Sequence, residues 1–321
     1  MALTFTAATA SGESTVAGAS CDVSRSDRAW LDGAVAAWRF TSRQLLHATL
    51  PTDIHAIFFD SECTVSSTTA MTGGVNEWIG RRHGAQVQLP NGMAVPVAPT
   101  SFTSSSDKGT YFVMALPSVW SGKVNAGRMT LGPFVIAVMM HEASHVAQQD
   151  TYGARMSRLS QRWHLPDSFG DDSIQARFQN NRAFADSIAR ETHLLFDAAA
   201  ASDRAKARKL AREARRLIRA RQRKWYPAKE RYLAPAEDIW LTMEGSGQWA
   251  GYRWLTDGQS GVPRDIAYAG FARRGDKWTQ LEGLALFLAV ERLSGDAWIR
   301  DVFGRGRRTA LQWLDVSLAA P

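Results

Sequence analysis

The sequence predicts an α+β fold in which a small β-containing N-terminal lobe precedes a mostly helical lobe. Three observations carry this expectation. Short β-rich runs punctuated by turn residues fill the stretch before about residue 129, whereas helical periodicity dominates from about Thr130 to the end. With 321 residues, 45% of them hydrophobic and 21% charged, the chain can bury one large core or two lobes and does not have the composition of a disordered protein. The expected organisation is a flexible tail over residues 1–25, an N-terminal lobe over 26–129 and a helical lobe over 130–321.

The tail is rich in Ala, Ser, Thr and Gly and lacks the basic start and continuous apolar stretch of an export signal. From Ser26 to about Thr49, the apolar positions Trp30, Leu31, Val35, Trp38, Leu45 and Leu46 recur at helical spacing. Ile54 to Phe59 reads as a short buried strand. Gln86 to Leu89 and Ala94 to Val97 read as two strands about the turn Pro90-Asn91-Gly92, with Pro96 placing the second at a sheet edge. Ser101 to Gly109, small and polar, reads as a loop, and Thr110 to Leu116 as a strand ended by Pro117. A helix then runs from about Thr130 to Tyr152, with Pro133 accommodated in its first turn and Gly153 suited to its end. Further helices are expected at roughly 172–201, 203–225, 236–256 and 277–294. The apolar run before the motif, Phe134 to Met140, falls far short of the ~20 residues a spanning helix needs, so no membrane span is expected.

The segment with the clearest chemistry is His141-Glu142-Ala143-Ser144-His145, an H-E-x-x-H pattern. Residues four apart on a helix lie about 40° apart around its axis, so both imidazoles project from one face and can share one Zn2+. Glu142, rotated by about 100° from His141, can act as general base on a water activated by the metal without being a ligand itself. The apolar residues Leu131, Phe134, Val135, Val138 and Met139 carry the motif into the protein interior. The bland reading is two helical histidines satisfied by ordinary hydrogen bonds.

A catalytic zinc of this type takes a third protein ligand, and three glutamates compete for the role. Glu244 is followed by small residues in Glu244-Gly245-Ser246-Gly247, which would let its helix approach the HExxH helix closely; Tyr252 lies just over two turns on. Glu191 sits on an apolar stripe with Phe184, Ile188 and Leu195, and Glu282 lies in a similarly apolar helix. Each could instead be a buried acid paired with an arginine.

HExxH followed by a helix that begins Glu-Gly and continues to an aromatic resembles the gluzincin group of metallopeptidases, which includes thermolysin and aminopeptidase N. The resemblance covers the helical lobe at motif level. It implies a zincin-like fold and a zinc metallopeptidase acting on peptide or protein substrates, with His141, His145 and Glu244 as ligands and Glu142 as general base. It also implies an extended substrate held along a strand edge above the metal, here the strand around Thr110 to Leu116. The chain departs from the family pattern in the long gap from His145 to Glu244 and in Met243, where aminopeptidase N-like members carry Asn. That gap favours Glu191, whereas the Glu-Gly context favours Glu244.

Several features stand outside this core reading. Between Arg204 and Lys224 lie eleven Lys or Arg and one acid, Glu213, against a net charge of +7 for the whole chain. Such a run can bind nucleic acid or an acidic surface, but Ala207, Leu210, Ala214, Leu217 and Ile218 form an apolar stripe through it. The expectation is an amphipathic helix with a solvated basic face that pairs with Glu191, Glu237 or Glu244, and nucleic acid is not the expected partner. Cys21 and Cys63 are too few for a disulfide framework; they form one bridge in an exported protein or stay free in the cytosol, and export is the favoured side. His164 and His193 have no partner at ligand spacing. Asp60 and Glu62, ending a strand, either support a ligand histidine or face water. Tyr252 and Tyr268 are possible donors to an oxyanion or simply packed aromatics. The rival to an enzyme is a helical binding protein whose metal is structural or absent.

Overall fold

The computed structural model describes residues 19–47, 55–67, 78–107, 109–272 and 277–320. Helix α1 (Arg25–Phe40) starts at Ser24, whose hydroxyl accepts from the Asp27 amide, and continues through a π-helical turn to Leu45. Strands β1 (Ala56–Phe59), β2 (Cys63–Ser67) and β3 (Trp78–Arg82) form an antiparallel meander, β4 (Gln86–Gln88) and β5 (Ala94–Pro96) a separate hairpin, and β6 (Ser101–Ser106) and β7 (Gly109–Ala115) a second hairpin. The five-stranded sheet has the order β3-β2-β1-β7-β6, with β1 and β7 parallel at its centre. Both central strands are buried along nearly their whole length, as strands covered on two faces must be.

After the short helix α2 (Pro117–Trp120), the helical region comprises α3 (Leu131–Gln148), α4 (Ala154–Trp163), α5 (Ser173–Phe178), α6 (Arg182–Ala200), α7 (Arg204–Trp225), α8 (Leu233–Thr256), α9 (Arg264–Ala267), α10 (Trp278–Ser294) and α11 (Ala310–Ala319). Helix α3 packs on the sheet at β6 and β7 and on α8, and α8 packs in turn on α10. A helix that is apolar nearly all round must be covered on several sides, and α3 is covered in this way. The indole of Trp30 donates to the Gly132 carbonyl at 3.2 Å, which pins the start of α3 to α1. One continuous apolar core runs from Val65 in the sheet to Leu314 in α11, so the sheet and the helices share their interior.

Several expectations need correction. Residues 1–18 of the expected tail, and Ile54 of the expected first strand, lie outside the described residues. Residues 19–25 are not a flexible tail: the Arg82 amide donates to the Ala19 carbonyl, Ser20 bridges to Arg81, and Cys21 is disulfide-bonded to Cys63. Ser101–Ser106 is a strand rather than a loop. Gly153 does not end the motif helix, because a π-helical turn (Gln149–Gly153) carries the chain on into α4, which stops at His164 in the left-handed conformation. The expected helix at 172–201 is two, α5 and α6, with Asn181 capping the second through the Phe184 amide. The helices at 203–225, 236–256 and 277–294 are present as α7, α8 and α10. No helix among the described residues is long and apolar enough to cross a membrane.

Candidate metal centre

Glycine sets how closely the two site-bearing helices approach. A Cβ on Gly251 would lie 2.6 Å from the Ala137 carbonyl oxygen, and one on Gly247 would lie 2.9 Å from Nδ1 of His141. Gly245 faces Gly283 of α10 at backbone contact on the other side. Only hydrogen at these positions lets α8 lie against both α3 and α10. Inside the α3–α8 contact, the Gln148 amide donates to the Ser246 hydroxyl at 2.8 Å, and Trp249, almost wholly buried, anchors the far side of α8.

This contact delivers Glu244 to the two histidines. Its Oε2 lies 3.2 Å from Nε2 of His141, its Oε1 lies 3.2 Å from Nε2 of His145, and the two Nε2 atoms are 2.8 Å apart. His141, His145 and Glu244 are all buried, and together they form a group that could hold a metal ion. Zinc bonds of about 2.0–2.2 Å in a tetrahedron separate ligand atoms by roughly 3.3 Å, so the donor types and their spacing fit a single small cation. Zinc-ligating imidazoles ordinarily donate their second nitrogen to an acceptor. Here the Nδ1 atoms of both rings are buried with no hydrogen-bond partner among the described residues. Packing holds the rings instead, with their planes perpendicular and the edge of His141 against Gly247.

The electrostatics are those of a buried cluster centred on an acid. Burial alone would lower the His145 pKa, but the charge and hydrogen bond of Glu244, aided by Glu142, push it up to about 9. Burial would likewise raise the Glu244 carboxyl, yet the two imidazoles hold it well below the usual carboxylate range. Gln280 of α10 donates to Oε2 of Glu244 at 3.1 Å and accepts from Gln248 at 2.9 Å, which orients the carboxylate. Glu142 is buried beside the cluster, and its Oε2 accepts from the Thr103 hydroxyl of β6 at 3.4 Å.

The other two glutamates are held elsewhere. Glu191 accepts from Ser187 at 2.6 Å and from the fully buried Arg221 at 2.9 Å, and Arg221 also donates to Glu237 at 2.6 Å. Glu282 lies 3.9 Å from the same guanidinium. The expected pairing of the basic helix with Glu191 and Glu237 is therefore present through Arg221, while Glu244 is reserved for the histidines. His164 is an exposed cap residue and His193 pairs with Asp197 on the surface. Asp60 accepts from the amides of Glu62 and Cys63 in the β1–β2 turn, and Glu62 pairs with Arg82, so neither supports a ligand histidine. The rings of Tyr252 and Tyr268 pack edge to face.

Sequence reasoning did not single out Thr103, Gln280 or Asp171. The Asp171 carboxyl is raised to about 7, first by burial and then by the negative charge of Glu244, which places it within electrostatic reach of the cluster. None of the three stands at ligand spacing from the motif, and only the tertiary fold brings them near. Comparison with protein-family models, curated proteins and solved structures gave no match to this chain.

Proposed function

We propose that the chain is a zinc-dependent hydrolase, most specifically a metallopeptidase of zincin-like, gluzincin-like design. The observation that carries this reading is the convergence of His141, His145 and Glu244 from two helices, with Glu142 buried next to them. A zinc ion bound there would polarise the scissile carbonyl and lower the pKa of a water molecule. Glu142 takes up the proton from the attacking water and delivers it to the leaving nitrogen, with Thr103 steadying its carboxylate. Burial of the cluster excludes bulk water and strengthens each of these interactions.

The strand edge available to an extended peptide is β6. The strand around Thr110 to Leu116, to which the resemblance assigned this role, is β7; it is paired on both sides and has no free edge. β6 is the terminal strand and sets Thr103 against Glu142, so a peptide added along it would pass beside the general base. The Cys21–Cys63 disulfide supports an oxidising working compartment.

Near-complete burial of all three candidate ligands also suits a closed, purely structural metal site. Replacing Glu142 by Gln separates the two readings. Hydrolysis of an unstructured protein substrate is lost in the variant while metal content stays at the wild-type level; a variant that keeps both its metal and its turnover refutes the enzyme reading.

A further inference from the structure

The chain's positive charge is concentrated on one helix that the metal centre does not use. The run 204–224 has eleven cationic residues and one acid in a protein of net charge +7, so everything outside it is net negative. One of the eleven, Arg221, is buried and neutralised by glutamates. On the outer face, Lys209, Arg212, Arg216, Arg219 and Arg223 are all exposed and alternate in steps of three and four residues. They form a straight ridge about 21 Å long at 1.5 Å per residue.

Beside this ridge, α7 and α11 enclose an open trough of about 460 Å³ lined by five arginines together with Asp315, Leu318 and Ala319. Asp315 receives a two-pronged bond from Arg215, at 2.9 and 2.8 Å, and a further contact from Arg219 at 3.1 Å. Arg215 and Arg219 are thus engaged by Asp315, and Arg216 by Glu213 at 2.6 Å, in a fork geometry that arginine offers to carboxylate and phosphate alike. Lys209, Arg212 and Arg223 have no carboxylate within ion-pair distance among the described residues.

We propose that this face docks the protein on an anionic phospholipid surface through lipid phosphates. Charge complementarity selects the anion, and a single-sided line of cations suits a plane. The apolar side of α7, with Ala207, Ala211, Ala214 and Ile218, is packed in the core, so the helix cannot insert and attachment is peripheral and electrostatic. Nucleic acid fits less well. No aromatic side chain lines the trough for base stacking, and α11 flanks α7, which keeps the helix from sinking into a major groove. The docking face lies on α7, which packs on α6, α10 and α11, whereas the histidine-bearing α3 packs on the sheet and α8.

The test is sedimentation of the full chain with vesicles of phosphatidylcholine mixed with phosphatidylglycerol, with phosphatidylcholine vesicles and a duplex DNA as comparison arms. Adsorption to the mixed vesicles alone is expected, and it is released when NaCl rises from about 0.05 M to about 0.5 M, because the Debye length then contracts severalfold. The combined variant Arg212→Gln, Arg216→Gln, Arg219→Gln, Arg223→Gln should bind the mixed vesicles roughly a thousandfold more weakly, at about one kcal/mol for each charge removed. Its circular dichroism and metal content should match wild type, since all four side chains are on the surface. The proposal is overturned by equal adsorption to both vesicle types, by absence of adsorption at low salt, by undiminished binding of a folded variant, or by binding to the duplex without binding to vesicles. Should the combined variant misfold, the salt-release and lipid-selectivity results on wild type decide the matter.

Discussion

Gly247 and His141 face each other so closely that any side chain at 247 would press on the imidazole, since a Cβ would stand 2.9 Å from Nδ1. The geometry of the candidate ligands therefore depends on an absence of atoms two helices away from the sheet. Exchanging glycine for alanine inside a helix normally stabilises it by about 1 kcal/mol. At this position Gly247→Ala should instead rotate His141 or part the two helices. Zinc affinity, read by competition with a chromogenic chelator, should fall roughly 10- to 100-fold, the range seen when support behind a ligand is disturbed.

Metal uptake should depend on pH through His145. In the metal-free protein its pKa is pushed up to about 9, because Glu244 outweighs the effect of burial. The folded value lies above the ordinary 6.5, so the His145–Glu244 pair stabilises the metal-free fold fully below about pH 6.5, and that stabilisation is lost as pH rises through 9. A cation must displace the same proton. Apparent zinc affinity should therefore climb by about tenfold per pH unit from neutrality towards pH 9 and level off above it, as measured by chelator competition across that range.

The Arg221 network makes a prediction about stability. Arg221 is fully buried against Glu191, Glu237 and Glu282, and burial drives the Glu282 carboxyl well above its ordinary pKa despite the guanidinium. Arg221→Ala strands buried carboxylates and should cost about 3–5 kcal/mol in denaturant unfolding. Glu282→Gln keeps the shape of the side chain and removes a charge that burial already disfavours, so it should cost less than about 1 kcal/mol.

The Cys21–Cys63 bridge closes a loop of sequence separation 42 and fastens the segment ahead of α1 to β2. A loop of that length restricts the unfolded chain by about 4 kcal/mol on the entropy model. Cys21→Ser should lower unfolding stability by an amount of that order, and reductant should have the same effect on wild type and none on the variant.

The parts of the site that could be read from the sequence are those encoded locally. The four-residue spacing of His141 and His145 puts both imidazoles on one helical face whatever the tertiary fold, and the small residues after Glu244 announce a helix that packs closely. Glu191 stands close behind Glu244 as a ligand in the sequence because an apolar stripe interrupted by an acid is what any buried carboxylate shows, whether its partner is a metal or Arg221. β6 was hidden because a terminal strand paired on one side only need not alternate: Phe102 is its one large apolar residue, and the others are Ser and Thr. Thr103, Asp171 and Gln280 were hidden because their link to the site exists only in three dimensions.

The central claim is that His141, His145 and Glu244 hold one metal ion between them. Zinc titration by calorimetry of wild type, Glu244→Gln and Glu282→Gln tests it most directly, because both glutamates are buried on neighbouring helices and only one faces the histidines. The account predicts one zinc per chain in wild type and in Glu282→Gln, with binding at least roughly 100-fold weaker in Glu244→Gln. Undiminished zinc binding by a folded Glu244→Gln, or no binding by wild type, would contradict it.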